Sequence, residues 1–371
     1  MRISERMKSS FMVSDLQRSL DRMVKTQRDI ATSTTIHKPS DDPNGTSKVI
    51  RLKGQISRYN RYQSNIEDSQ DWLEATESSL STTLDIISDV NAILLQGANG
   101  SIGAAERDTL GERVKEYLND AVDLANRDYG GKHLFGGTAT DQQPYTRITG
   151  ISDESFTSAH DTGAALDSVD IVPGSMTVTD TGGTVTYTEG TDYTVDYEEG
   201  TVTVLSTGSM ADASEYLVSY ETEDAQHFEV NAAGINGRVM REIDEGITMQ
   251  INISGSEVFG GGQGLFSVLK EAYTALKRND LDGIDQAREQ LTGQVDTVTG
   301  ILGEVGAKIN RLDALSQRMD SDITGFEQLI SSVEDTDIAE ALITLQNDQA
   351  VYQAALKTGA DIIQSTLLDY L

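Results

Sequence analysis

The chain has no cysteine in its 371 residues. That excludes disulfides, thiolate metal sites and thiol nucleophiles. No run of about 18 apolar residues occurs, so no transmembrane helix is expected. The start, MRISERMKSSFMVSD, lacks the apolar core of a Sec signal peptide, and export would need another route. Bases are scarce. Lys and Arg number 29 against 60 Asp and Glu, a formal net charge of −31. A chain this acidic is no general nucleic-acid binder, and it is disfavoured on anionic membranes. His37, His133, His160 and His227 are scattered, with no i,i+4 pair and no H-E-x-x-H motif. They are read as surface or packing residues, and no metal, cofactor or catalytic role is expected.

The charge that is present is unevenly placed. Residues 1–62 carry 13 bases against 6 acids, a net +7. Residues 327–371 carry 8 acids and one base, Lys357, a net −7. Residues 141–230 carry 18 acids and one base, Arg147, a net −17. The acidic middle reads as a well-hydrated outward face. The two ends favour pairing with each other over pairing with their own kind.

Both flanks repeat apolar residues at alternating steps of three and four. Near the start the positions are Val13, Leu16, Leu20, Met23, Gln27 and Ile30. A longer run passes through Val49, Leu52, Ile56, Tyr59, Gln63, Ile66, Gln70, Leu73, Glu77, Leu80, Leu84, Ile87, Asn91 and Leu94. The C-terminal flank mirrors it from Leu291 through Leu302, Ile309, Leu312, Met319 and Ile323 to Val333. A last helix reads Ile338, Leu342, Leu345, Gln349, Tyr352 and Leu356. Sustained a/d spacing over several heptads predicts coiled coil. The polar Gln63, Gln70, Glu77 and Asn91 would fix register at some cost in stability.

Between the flanks the period changes from 3.5 to 2. Segments such as Tyr193-Thr194-Val195-Asp196-Tyr197, Thr201-Val202-Thr203-Val204 and Tyr216-Leu217-Val218-Ser219-Tyr220 alternate and are set off by glycine turns. They predict a β-sandwich-like domain. The fold class is therefore α+β: a long antiparallel helical coiled-coil stalk from both termini with an inserted β-sandwich-like domain. The expected divisions are terminal helical assembly segments at 1–42 plus 334–371, a helical rod at 43–140 plus 263–333, and the acidic β domain at 141–262. The assembly seam would comprise Val13, Leu16, Leu20, Met23, Ile30, Ile338, Leu342, Leu345, Tyr352 and Leu356. The rod core would comprise Leu52, Ile56, Leu73, Leu80, Leu84, Leu302, Ile309, Leu312 and Ile323.

Several motifs invite chemistry and are better explained otherwise. Phe259-Gly260-Gly261-Gly262-Gln263-Gly264 lacks the Lys-Ser/Thr of a phosphate loop and reads as a hinge. Asp280-Leu281-Asp282-Gly283 opens like a calcium loop, but its twelfth position is Leu291, so it reads as a turn between helices. Trp72 and Tyr59 read as packing residues of the stalk. The joint Lys38-Pro39-Ser40-Asp41-Asp42-Pro43 stands out. Pro39 and Pro43 stop one helix, Ser40 or Asp42 can cap the next, and Pro43 suits its first position. Asp335 or Thr336 is expected to cap the last helix.

At this joint the sequence resembles the flagellin superfamily, in particular its hook–filament junction members. The resemblance is carried by Met1-Arg2-Ile3-Ser4, Pro39-Ser40-Asp41-Asp42-Pro43, Tyr62-Gln63-Ser64-Asn65-Ile66, Trp72 to Leu80, Gln96-Gly97-Ala98-Asn99-Gly100, Leu134-Phe135-Gly136-Gly137, Gly255 to Phe259, and Leu367-Leu368-Asp369-Tyr370-Leu371. It covers roughly 1–140 and 235–371 and leaves the acidic β region outside, where the strands look like an immunoglobulin-like module. It implies a structural, non-enzymatic, extracellular subunit of the bacterial flagellum, exported by the flagellar type III route with the help of an export chaperone. The implied partners are hook-associated protein 1, flagellin and a ring of like subunits, with no nucleic acid and no membrane. The terminal helices would order only among neighbours. A filament flagellin is the alternative within the superfamily, and a cell-surface carbohydrate-binding protein is the alternative outside it.

Overall fold

The computed structural model describes residues 5–231, 233–260 and 264–368. Its architecture is long helices with a sheet-rich insertion. The Cα framework divides into two compact units, 1–63 with 316–371, and 64–315.

The first unit is helical. It holds α1 (Glu5–Thr32), the start of α2 (Pro43–Gly97), the end of α6 (Leu281–Glu334) and α7 (Ile338–Leu368). Helix α1 packs along α7, antiparallel, with Arg22 3.6 Å from Asp348. The start of α2 runs against the end of α6. Lys53 bonds Glu334 at 2.9 Å, Gln63 donates to Asp320, and Tyr59 meets Phe326 with ring centroids 5.6 Å apart.

The second unit holds the rest of α2 and α6, together with α3 (Ala104–Ala125), the short α4 (Gly255–Val258) and α5 (Leu265–Lys277). Gln70 of α2 donates to Asp313 of α6. Within this unit a polar seam residue thus joins the two long helices. Helix α3 packs on α5 through Leu110, Val114, Leu118 and Ala121 on one side and Leu265, Leu269, Ala272 and Leu276 on the other, all buried.

The strands follow in chain order: β1 (Asp128–Tyr129), β2 (Lys132–His133), β3 (Tyr145–Ile148), β4 (Gly150–Thr157), β5 (Gly163–Ala165), β6 (Thr177–Asp180), β7 (Thr186–Tyr187), β8 (Tyr193–Asp196), β9 (Thr201–Val204), β10 (Glu215–Glu221), β11 (His227–Val230), β12 (Met240–Asp244) and β13 (Ile247–Gln250). One antiparallel sheet has the order β4-β10-β6-β7 and a second β5-β9-β8. Strict alternation decides which residues turn inward. Tyr216, Val218 and Tyr220 of β10 and Val202 and Val204 of β9 share one buried core with Phe156, Val178 and Tyr193. Strands β3 and β11 pair with each other, Tyr145 opposite Val230. They carry the chain into and out of the insertion side by side. The hairpin β12–β13 stands apart from both sheets and is tied to α2 by Asn65, whose amide donates to the Glu242 carbonyl at 2.8 Å.

The root of the insertion is an aromatic cluster. Tyr145 meets Phe266 edge-on at 5.0 Å, and Phe135 meets Phe259 likewise at 5.0 Å. The Asn126 side chain bonds both main-chain groups of Tyr145, at 2.9 and 3.0 Å. Gly137 must be glycine: its φ is +62°, and a Cβ there would lie 2.1 Å from the Gly234 carbonyl oxygen.

Candidate assembly surface

The joint between α1 and α2 is held by two carboxylates with different tasks. Asp41 accepts the amides of Lys38 and His37, at 2.9 and 3.1 Å, and these bonds, Lys38 first, hold its carboxyl below the usual range. Asp42 caps α2 by accepting the amides of Asn44 and Gly45, each at 3.0 Å, with Pro43 as first helical residue. Pro39 and Ser40 are exposed. Across from the joint, Thr35 donates its amide to Glu334 at 2.7 Å, and Thr336 donates to Ser33 at 3.0 Å. Both connections to the terminal helices are thus laced at one level. The cap of α7 is Asp337, which accepts the amides of Ala339 and Glu340 at 2.9 and 3.1 Å. This corrects the expectation of Asp335 or Thr336: both are drawn instead into the crossing, Asp335 bridging Thr34.

Along α1 and α7 the expected seam positions are unequally covered. Leu16, Met23, Ile30, Leu345 and Tyr352 are half-buried. Val13, Leu20, Ile338, Leu342 and Leu356 are exposed. Phe11 and Ile343, 61% and 62% exposed, and Val24 and Val351 are further apolar side chains left open on these two helices. Two amphipathic helices pairing alone bury one stripe and leave a second. So many large apolar side chains left open on two paired helices suit an interaction surface.

In the rod, Leu52, Leu73, Leu80 and Leu312 are buried, whereas Ile56, Leu84, Leu302, Ile309 and Ile323 are half-buried. The buried row of α2 within the second unit is Ile66, Ser69, Leu73, Thr76, Leu80, Thr83, Ile87, Val90, Leu94 and Gly97. It shares its larger members with the apolar reading. The alternate positions are small or hydroxylated residues rather than Gln70, Glu77, Leu84 and Asn91. Ser69, Thr76 and Thr83 bury their hydroxyls by donating to the carbonyl four residues back. The signal was present as a small residue three places after each large one.

Sequence reasoning also missed the polar clamp where the insertion meets the helices. The Lys277 ammonium, its side chain 9% exposed, lies 2.6 Å from Asp108, 3.2 Å from Glu112 and 3.1 Å from Asp170. Burial opposes its charge, but the Asp108 bond and the Asp170 charge outweigh burial and raise its pKa. The Lys277 stem passes beside Gly111 of α3, where an added Cβ would lie 3.4 Å from it. Tyr273 donates to Asp170. Arg278 donates to the carbonyls of Glu199 and Leu166 at 2.8 and 2.6 Å.

The histidines are structural in their contacts. His37 bonds Asp29 at 2.7 Å, His133 the Asn126 carbonyl at 2.6 Å, and His160 the Met210 carbonyl at 2.9 Å. His227 lies 2.9 Å from Ser168 and 3.0 Å from Lys270. Burial, then the Lys270 charge, pushes its pKa down to about 4. Among the described residues no group of three or more His, Asp and Glu is placed to hold a metal, and no helix is long and apolar enough to cross a membrane. Asp280 accepts the Asp282 amide at 3.1 Å and starts α6, as a turn between helices should. Residues 261–263 of the glycine run lie outside the described residues.

Comparison with known proteins agrees with this geometry. Residues 3–140 match the family model of the bacterial flagellin N-terminal helical region. Residues 133–241 match a second model, of a protein family of unknown function. Flagellin B of Vibrio cholerae is 24% identical over 368 residues, covering 94% of this chain and 93% of that protein. Flagellar hook-associated protein 3 of Salmonella typhimurium is 24% identical over 151 residues, covering 40% of this chain and 48% of that protein. A solved structure from Vibrio parahaemolyticus, assigned as a flagellar hook-associated protein, superposes with a TM-score of 0.54 at 18% identity, covering 80% of this chain and all of that one.

Proposed function

We propose, from the premise that this chain is a flagellin-superfamily protein carrying the bacterial flagellin N-terminal helical region, that it is a structural subunit of the bacterial flagellum and acts at the hook–filament junction. In that role it joins hook-associated protein 1 to flagellin within a ring of like subunits, after export in the care of a chaperone. The work is mechanical and needs no catalysis. The observation that carries the reading is the number of large apolar side chains left open on α1 and α7. Phe11, Val13, Val24, Ile343 and Val351 stay exposed after the two helices have paired. Burying each on a neighbour would contribute about 1–2 kcal/mol, and coupled ordering of marginal helices suits a subunit that must travel before it assembles. The similarity to hook-associated protein 3 supports the junction role.

The second reading is a filament flagellin, favoured by alignment along nearly the full chain with Vibrio cholerae flagellin B. Immuno-gold electron microscopy of intact flagella separates the two. The junction reading expects one narrow band where hook meets filament. Label along the filament would establish the flagellin reading, and flagella without label would sink both. Removing 338–371 should leave a soluble chain that no longer enters flagella. Incorporation of that truncated chain would refute the role given to α7.

A further inference from the structure

An asparagine followed by glycine can modify itself. The glycine amide nitrogen attacks the asparagine side-chain carbon, and glycine puts no Cβ in the way. The chain has three such pairs, Asn44-Gly45, Asn99-Gly100 and Asn236-Gly237. The fold treats them differently. Asn44 and Gly45 belong to the first turn of α2, and the Gly45 amide is held by Asp42 at 3.0 Å. The Gly237 amide donates to the Gly234 carbonyl at 2.7 Å. In the loop between α2 and α3, the Gly100 amide and Asn99 Nδ2 have no hydrogen-bond acceptor among the described residues. Asn99 and Gly100 are exposed, and a Cβ added at Gly100 would meet nothing within 4 Å.

The loop also prepares the carbon that is attacked. Asn99 Oδ1 accepts the Ser101 amide at 3.1 Å and the Ser101 hydroxyl at 2.9 Å. Two donors on that oxygen polarise Cγ and stabilise the oxyanion that forms there. Arg107, 5% exposed, packs against the same loop. Its guanidinium donates to the main-chain carbonyls of Gly97 and Asn99, at 2.7 and 2.9 Å, and to the Asn279 side chain. Among the described residues no carboxylate lies within ion-pair reach of it. A buried cation held by neutral acceptors alone gains when one of them becomes an anion.

We propose that Asn99-Gly100 is a deamidation site of the folded chain, with water as co-reactant and isoaspartate as the favoured product. The Gly100 nitrogen bonds Asn99 Cγ and gives up its proton. The bond from Cγ to Nδ2 breaks, and Nδ2 leaves with that proton as ammonia. A five-membered imide remains. Water adds to one of its two carbonyl carbons and opens the ring, and a hydrogen returns to the Gly100 nitrogen. Opening at the main-chain carbon of residue 99 yields isoaspartate. The peptide link then runs through Cγ, and the former main-chain carbonyl oxygen belongs to a free α-carboxylate. That is the oxygen to which Arg107 donates. Oδ1 becomes the linking carbonyl oxygen and still suits Ser101. Opening at Cγ yields aspartate instead, with the new charge beside Ser101. The modification adds one negative charge and, as isoaspartate, one main-chain atom at the α2–α3 connection. It does not depend on the flagellar role.

The test keeps the full-length chain folded in neutral buffer and follows it over time by peptide mapping. Electron-transfer fragmentation tells isoaspartate from aspartate, and a parallel sample is held unfolded in urea. In the folded chain residue 99 should deamidate roughly tenfold faster than Asn44 and Asn236, whose glycine amides must first be freed by local opening. In urea the three rates should agree within about twofold, because the folded contacts are gone. The isoaspartate share at residue 99 should be higher in the folded chain than in urea. Arg107→Lys keeps the charge and loses the planar fork, and it should cut that folded-state share by about half. Where circular dichroism shows this variant unfolded, the folded and urea samples of the unsubstituted chain decide alone. Folded-state deamidation at residue 99 no faster than at Asn44 and Asn236 overturns the site. An isoaspartate share no higher folded than in urea overturns the choice of product.

Discussion

Replacing Lys277 by methionine keeps the length of its stem and removes its charge. The ammonium it deletes serves three carboxylates at 2.6, 3.2 and 3.1 Å. Breaking a buried ion pair from one side costs about 3–5 kcal/mol, because the partner charge is left unpaired. Here two of the partners, Asp108 and Glu112, are 51% and 44% exposed and keep much of their hydration. Asp170 is 14% exposed and does not. Discounting the two exposed partners leaves a loss of about 2–3 kcal/mol. Trp72, the single tryptophan, lies in the same unit, so its fluorescence in urea reports the loss there. Lys308→Met is the control. Its ion pair with Glu304 is an i,i+4 pair on one helix, and about 0.5 kcal/mol or less is expected. Adding Asp170→Asn to Lys277→Met should recover part of the loss by neutralising the stranded carboxylate. If Lys277→Met costs no more than Lys308→Met, the clamp does not hold the insertion and the reasoning fails.

Two further outcomes follow from the same unit. Gly137→Ala should cost about 3 kcal/mol or more, since the new Cβ meets main-chain oxygen at 2.1 Å in a left-handed residue. Gly130→Ala, also at positive φ but with open space around it, should cost only about 1–2 kcal/mol; equal losses in urea would refute the steric argument. His227, at about 4 in the folded chain against 6.5 unfolded, predicts acid lability. Unfolded chains take up the proton below 6.5 while the folded chain refuses it, so stability is full above pH 6.5 and falls as pH drops towards 4. Lys270, Asp167 and Ser168 face the ring, and its partial exposure limits the loss to about 1–2 kcal/mol. His227→Gln should flatten that slope, and an unchanged slope would exclude this histidine as its source.

The helical flanks were legible because coiled-coil burial writes itself into spacing. Pro43 was legible because a helix start needs a donorless first residue, and an acceptor before it was expected at Ser40 or Asp42, of which Asp42 is the one that caps. What spacing did not reveal was which of two adjacent rows on α2 lies deepest. Thr76 and Thr83 count as polar in a periodicity, yet each buries a methyl group and satisfies its hydroxyl on its own helix. The strands β4 and β11 were missed because their exposed faces are acidic or mixed and carry few β-branched residues. The Lys277 clamp joins segments far apart in sequence. Tertiary topology alone brings Lys277 to Asp108 and Asp170, and no local pattern announces it.

The pairing of β3 with β11 has a consequence for how such a chain can change. Tyr145 and Val230 leave and return as partners in one ladder, about 5 Å apart. The helical frame meets the insertion at this narrow two-strand mouth, at the clamp beside it, and through ion pairs such as Lys115–Asp224 and Lys270–Asp167. A module of any size whose own ends lie that close could be grafted there without shifting a heptad below. A frame under constraint from its neighbours can thus present an interchangeable head, and the residues that would limit the exchange are those of the mouth: Asn126, Tyr145, Phe259 and Phe266.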